Sequence, residues 1–329
     1  MMETINILPA LLGIDVAKKT FNVTLLRGEK KKHKQFANSE KGFSELSVWL
    51  TKQSTPQVWA CLEATGSYSD ALAHYLHQLG HQVSLVNPAR IKAYGQSQLQ
   101  RTKNDRADAD LIVRFLHDTR PQLWVPPPLE QRQLQALVRH LDDLIETRQQ
   151  LQNRLTDGPQ VQAVLDSLRQ VIAQLDVQIK QIEEQIRRHI DNHPDLKEAH
   201  DLLVSIKSLG SRTATVLLGE IERLRQYRHS EEVVAYAGLN PKERQSGTSI
   251  KGKTCLSKIG NARVRKALYL PAVNAIKYNP IVKSLAERLE KRGLCKMAII
   301  GAAMRKLLQL AFGVLKTGKP FDEKHALAC

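Results

Sequence analysis

Residues 13–26, GIDVAKKTFNVTLL, place one carboxylate, Asp15, inside an apolar run that reads as a β-strand entering a hairpin. Aspartate is a poor strand residue, and a buried carboxylate without a partner is expensive. The rest of the chain therefore has to supply company for it. Working outward, LLGIDVAKKTFNVTLLRG and KKHKQFAN predict a three-stranded antiparallel meander with polar turns at Ala17–Thr20 and Gly28–Lys32. GFSELSVWLTKQ reads as a helix with Phe43, Leu46 and Leu50 on its apolar face, followed by the strand QVWACLE. Next come a helix, YSDALAHYLHQLG, stopped at Gly80, and a strand, HQVSLVNP, stopped at Pro88.

Three further acids can meet Asp15. Glu63 closes the strand VWACLE, and Asp105 and Asp108 stand one turn apart in KNDRADADLIVRFL, at the start of a predicted helix. A meander followed by β-α-β-α is the order of a ribonuclease H-like sheet, which sets Asp15 and Glu63 on adjacent central strands. Hard divalent cations take oxygen ligands. Two of them about 3.5–4 Å apart stabilise the attacking and leaving oxygens of a phosphodiester displacement. Four acids gathered around Mg²⁺ or Mn²⁺ are tolerable, whereas without a cation they repel. Singly, Asp105 and Asp108 also suit a helix N-terminus, and Glu63 suits a turn as well as a ligand. The conjunction with Asp15 points to metal. Asp110 lies two positions beyond Asp108, on a diverging face.

With 329 residues the chain has room for two compact domains and a connector. The expected division is 1–125 for the acid-bearing α/β domain, 126–195 for a helical hairpin and 196–329 for a mainly helical basic domain. PPPLE at 126–130 is the break. After it Leu134, Leu137, Leu141, Leu144, Leu151 and Leu155, with Arg148 as the one polar interruption, then Val161, Leu165, Leu168, Ile172, Leu175, Ile179, Ile182 and Ile186, keep a three-four spacing. Joined by TDGP, they predict an antiparallel coiled-coil hairpin ending near DNHPDL, although either seam can also pair with another subunit. LLVSIKSLGSRTATVLLGEI, from Leu202, resembles a helix-hairpin-helix, whose N–H groups grip DNA phosphate. Such hairpins usually have a second glycine where Ser208 stands, and a plain helical turn fits equally.

The net charge is +16, and residues 240–329 carry +14 of it, from nineteen Lys and Arg against five Asp and Glu. A basic field concentrated in one region is the footprint of a polyanion partner. Four cysteines, Cys61, Cys255, Cys295 and Cys329, form no C-x-x-C pair, which argues against a zinc site or a disulfide framework. No run approaches 18 uninterrupted apolar residues, so a cytoplasmic protein without membrane association is expected. Within the basic region, Ala235–Ala272 holds Ser246, Gly247, Thr248 and Ser249 among Lys242, Arg244, Lys251 and Lys253, with Arg263, Arg265 and Lys266 opening the next helix. Hydroxyls ringed by cations form a phosphate cradle. A serine nucleophile would need an activating base or metal.

GIDVAKKTF, CLEATGSYSD, NPARIKAYGQS, TKNDRADADLI, LGSRTATVLL and AYAGLNPKERQSGTSIKG together resemble the DEDD transposases of insertion-sequence family one hundred and ten, the bridge-RNA-guided recombinases related to the Piv DNA invertase. The resemblance covers nearly the full length. It implies a RuvC-like domain whose Asp15, Glu63, Asp105 and Asp108 hold Mg²⁺, and a transposase domain whose Ser246 attacks the DNA phosphate, with Ser249 as the alternative. It further implies donor and target DNA as substrates, a structured guide RNA that chooses them, and a homo-oligomer, dimer or tetramer. Two other functions compete with it. A RuvC-like structure-specific nuclease would use water as nucleophile and leave no covalent adduct. A non-enzymatic nucleic-acid-binding scaffold would be indifferent to Mg²⁺ removal.

Overall fold

The computed structural model describes residues 10–55, 57–64, 66–99, 104–158, 161–221, 224, 227–242, 245–246, 250–251 and 255–323. The chain divides into two compact units between Pro126 and Pro127.

The first unit opens with β1 (Ala10–Val16), β2 (Thr20–Arg27) and β3 (Lys30–Ala37). There follow α1 (Glu40–Lys52), β4 (Val58–Glu63), α2 (Ser67–Gln78), β5 (Gln82–Val86), α3 (Pro88–Ser97) and α4 (Asp105–Thr119). The five strands form one sheet in the order β3-β2-β1-β4-β5, antiparallel through the meander and parallel from β1 to β4 and β5. Side chains alternate across it. Leu12, Ile14 and Val16 of β1 and Ala60 and Leu62 of β4 pack on α1 and α2 through Phe43, Leu46, Leu50, Leu72 and Leu76. Leu11, Cys61 and Val86 face the other way, onto Ile91 of α3 and Leu111, Ile112, Phe115 and Leu116 of α4. Each fully buried Leu, Ile or Phe contributes about 1.5–3 kcal/mol, so both layers are anchored. The helix α3 is absent from the sequence expectation, where Pro88 ends a strand and nothing more. Asn87 explains it, since its side chain accepts from Ala89 N while Pro88 occupies the first turn, where its missing N–H costs nothing. This mixed sheet is consistent with a RuvC-like domain.

The second unit is mostly helical. It contains α5 (Leu129–Asp157), α6 (Gln162–Asp191), α7 (Pro194–Val204), α8 (Ser211–Glu220) and α9 (Ser230–Tyr236), then the short strands β6 (Pro241–Lys242), β7 (Gln245–Ser246), β8 (Ile250–Lys251) and β9 (Cys255–Leu256). The helices α10 (Ala262–Tyr278), α11 (Pro280–Lys291) and α12 (Lys296–Thr317) complete it. α5 and α6 run antiparallel. His189 Nε2–H donates to the Glu130 carbonyl at 2.8 Å, and Arg148 meets Asp176 at 2.8 Å. On α6 the buried residues Leu165, Ile172, Ile179 and Ile186 recur every seventh position. On α5 only Leu134, Val138 and Leu141 are buried, and Leu137 and Leu144 are half-exposed. Val138 lies outside the predicted seam because α5 also serves α8, where Gly219 lets the helices approach: a Cβ there would stand 3.4 Å from Val138 Cγ2. The base of the hairpin shares one core with α7–α12. α12 is long and apolar enough to cross a membrane by length and composition, but more than half of its apolar window is buried in that core.

Candidate active site

β1 and β4 are parallel with Ile14 opposite Leu62, so the next residue of each, Asp15 and Glu63, emerges at the strand ends on the same face of the sheet. That face is covered by α4. Helix and strand come so close at Gly13 that a Cβ would lie 2.4 Å from both the Ala109 carbonyl and Val113 N. Only glycine fits, and the close approach lays the first turn of α4 beside the end of β1. Asn104 starts that turn by accepting from Ala107 N at 2.8 Å. Asp105 and Asp108 follow, the first exposed and the second half-buried. Asn22, directly across β2 from Asp15, donates Nδ2–H to Asp105 Oδ2 at 3.4 Å. The sequence reading omits Asn22, although the hairpin register it predicts sets a residue of β2 opposite Asp15. Asp110 is turned elsewhere, to Lys31 at 2.9 Å and Arg114 at 3.4 Å.

Electrostatics mark the cluster. Burial, with Asp108 and then Asp105 adding repulsion, pushes the Asp15 carboxyl up to about 6. Glu63 is raised too, first by burial and then by Asp15 and Asp108. Cys61, two residues before Glu63 on β4 and opposite Gly13, is pushed up to about 12 by its burial and by Glu63, and stays a protonated thiol. The donor set consists of hard oxygens that feel one another's charge, which is the chemistry a divalent cation relieves. Among the described residues no three His, Cys, Asp or Glu side chains are gathered closely enough to hold a metal ion. The acids are thus a coupled cluster, not a closed coordination shell.

The second unit carries the serine region. Ser246 pairs with Ile250 in the β7–β8 ladder, and β6 pairs with β9, with Lys242 opposite Cys255. Lys242 is exposed, and Lys251 lies in β8. Arg244, Ser249 and Lys253 lie outside the described residues. The three cations expected on α10 all have partners within the unit. Arg263 reaches Asp142 at 3.4 Å and Asp143 at 3.3 Å, and Lys266 reaches Glu146 at 3.7 Å. Arg265 Nη1–H donates to the carbonyls of Ala237 at 2.9 Å and Gly260 at 3.0 Å. Their charge is directed in the first instance at α5 and at the backbone, because three acids of α5 face the start of α10.

Residues 12–158 match the IS110-type DEDD transposase family, described as "Transposase". Residues 200–287 match the "Transposase IS116/IS110/IS902 family". The chain is 32% identical over 317 residues to the pilin gene-inverting protein of Moraxella bovis, which spans 95% of this chain and 98% of that relative. It is 26% identical over 299 residues to the transposase for insertion sequence element IS1328 of Yersinia enterocolitica, covering 78% and 81% of the two chains. With both halves of the chain matched and an acid cluster at the head of its sheet, this protein belongs to the IS110 family of DNA transposases and recombinases.

Proposed function

We propose that this transposase catalyses metal-dependent DNA cleavage and strand exchange through a serine nucleophile. The observation that carries this reading is the emergence of Asp15 and Glu63 on one face of the sheet, beside the first turn of α4, with both carboxyls held above their usual range. Asp15, Glu63, Asp105 and Asp108 would hold Mg²⁺ or Mn²⁺. The cation, when bound, supplies positive charge to offset the phosphate and to favour ionisation of an attacking hydroxyl. Asp15 and Glu63 serve it as carboxylates, and Asn22 steadies Asp105. Ser246 Oγ attacks the DNA phosphorus. One P–O bond to the DNA is exchanged for one to serine, and the serine proton ends on the departing DNA oxygen. The reverse step, with another DNA hydroxyl, rejoins strands without an external energy source.

The net charge of +14 in residues 240–329 supports polyanion partners. We assign donor and target DNA to this role, together with a structured guide RNA held by backbone and shape. We further assign the α5–α6 pair as a coiled-coil element of a cytoplasmic homo-oligomer. The test is denaturing electrophoresis of labelled DNA after reaction with wild type, Ser246→Ala and Ser249→Ala. A shifted protein–DNA band lost only in Ser246→Ala supports the reading. Cleavage without any such band makes water the nucleophile and the protein a nuclease. Cleavage unaffected by chelation of divalent cations removes the metal.

A further inference from the structure

Glu220 closes α8 directly after the apolar run at 216–219, and its side chain is only 1% exposed. Arg139 of α5 approaches its carboxylate with Nε at 2.7 Å and Nη2 at 3.1 Å, and Asn261 Nδ2–H donates to it at 2.9 Å. Its own carbonyl accepts from the Tyr236 hydroxyl at 2.7 Å. Tyr236 ends α9 just before the β6–β9 segment, and Asn261 follows that segment and caps α10, accepting from Arg263 N at 2.9 Å and Val264 N at 3.1 Å. One buried residue therefore touches both ends of the segment that bears Ser246.

The two ends are stitched together around that contact. Asn261 N donates to the Tyr236 carbonyl at 2.8 Å, Ser257 N to Asn240 at 2.8 Å and Lys258 N to Gly238 at 3.1 Å. Gly260, at φ +146, permits the approach, since a Cβ there would meet the Tyr236 carbonyl at 2.3 Å. A buried ion pair is poor evidence of stabilisation, because well-packed apolar residues often do as well. What it adds is direction. The carboxylate fixes which way the Asn261 amide faces, and the same amide sets the start of α10.

We propose that Glu220 is a positioning residue, clasping both ends of the segment 239–257 to α5 and so fixing where Ser246 stands. This rests on the serine reading above. A displaced nucleophile is costly, since about 1 Å of misplacement can lower a rate about 100-fold.

The decisive variant is Asn261→Asp. Aspartate caps a helix as well as asparagine does, but it turns the hydrogen bond to Glu220 into a repulsion. Two measurements on the full-length protein follow it: the single-turnover rate of the covalent adduct with labelled DNA, and limited trypsin cleavage after Lys242, read by mass spectrometry without DNA. The expected result is an adduct rate about 10–100-fold lower and cleavage about 10-fold faster. The double variant Asn261→Asp/Glu220→Gln, in which the new amide donates to the new carboxylate, should recover most of both losses. Wild-type values in Asn261→Asp overturn the proposal, as does a double variant no better than the single one. If Asn261→Asp does not fold, Tyr236→Phe removes a single hydroxyl and should shift both readouts about 3–10-fold; no shift there counts against the clasp. If Ser246→Ala still forms the adduct, the serine reading fails, and the clasp then stands or falls on trypsin cleavage alone.

Discussion

In the first unit Asp15 is surrounded by acids, whereas in the second Glu220 is surrounded by donors. Burial raises the Asp15 carboxyl to about 6, and Asp108 and Asp105 push the same way. Burial would also raise Glu220, but the hydrogen bonds of Arg139 and Asn261 more than offset it and hold that carboxyl below its usual value. A carboxylate left in unfavourable company is the one for which we propose a partner from outside the fold. A carboxylate given every donor it can use is already at work within it. The contrast sets the proposed cation ligand apart from a carboxylate satisfied within the fold.

The harshest test of that contrast is to neutralise each acid at constant shape. Asp15→Asn and Glu63→Gln should each lower the DNA cleavage rate by at least about 1000-fold, since cation-assisted phosphoryl transfer draws several kcal/mol from its ligands. Wild-type turnover in either variant, measured on labelled DNA, would dissolve the acid cluster as a site. The stability effects should carry opposite signs. Glu220→Gln removes the buried charge to which Arg139 and Asn261 donate and should destabilise the second unit by about 2–3 kcal/mol. Asp15→Asn removes repulsion from a half-buried group, where solvent screening leaves about 1–2 kcal/mol of gain in the metal-free protein. Hydrogen exchange at α8 and β1 amides reads the two units separately. If both variants moved stability in the same direction, the contrast would be lost.

A milder handle is pH. The folded value of Asp15 lies above its ordinary 3.8, so its cost to the metal-free fold is absent below about 4, grows as pH rises and is complete above about 6. Glu63, Asp105 and Asp108 face it, and Glu63 is shifted the same way, for the same first reason. For Glu220 the folded value is depressed. Its contribution is therefore present above the ordinary 4.5 and is lost only as pH falls through the lower folded value. Burial lowers the pKa values of His33 and His81 in the same unit, which therefore loses their contribution to stability on acidification, so the Asp15 contribution is read against Asp15→Asn. On going from 6.5 to 5 without divalent cations, β1 and β4 amides of wild type should gain protection severalfold relative to that variant, with α8 unchanged, after correction for intrinsic exchange. Adding Mg²⁺ at 6.5 should reproduce the strengthening in wild type and not in Asp15→Asn.

Much of the first unit was legible because its signals are local. Alternation gave β1, turn residues gave the meander, and the two-residue period of a strand predicts that Asp15 and Glu63 share a face once their strands pair in parallel. The second unit was less legible because its decisive contacts are long-range. Glu220 in LLGEI is the same kind of lone acid in an apolar run as Asp15 in GIDVA. Nothing nearby in sequence announces Arg139, which lies 81 residues earlier. The ion pairs of Arg263 and Lys266 with α5 are hidden for a related reason, since charge along a sequence does not say which acids a fold will bring opposite. The strands β6–β9 are two residues each, too short for periodicity to register.

The smallest expected effect sits at the turn between α7 and α8. Ser208 adopts φ +79, the left-handed region, in the place where a helix-hairpin-helix usually has glycine. A side chain there costs about 1 kcal/mol in the folded state, against which glycine loses some stability through its freer unfolded chain. Ser208→Gly should therefore stabilise the second unit by about 0.5 kcal/mol, visible as a rise of one to two degrees, roughly, in its thermal transition. It leaves β1 untouched, so exchange in the first unit should not change. A loss of stability would mean that the Ser208 side chain does something in this turn that outweighs its strain, and the turn would then be a built feature and not an imperfect copy of a phosphate-gripping hairpin.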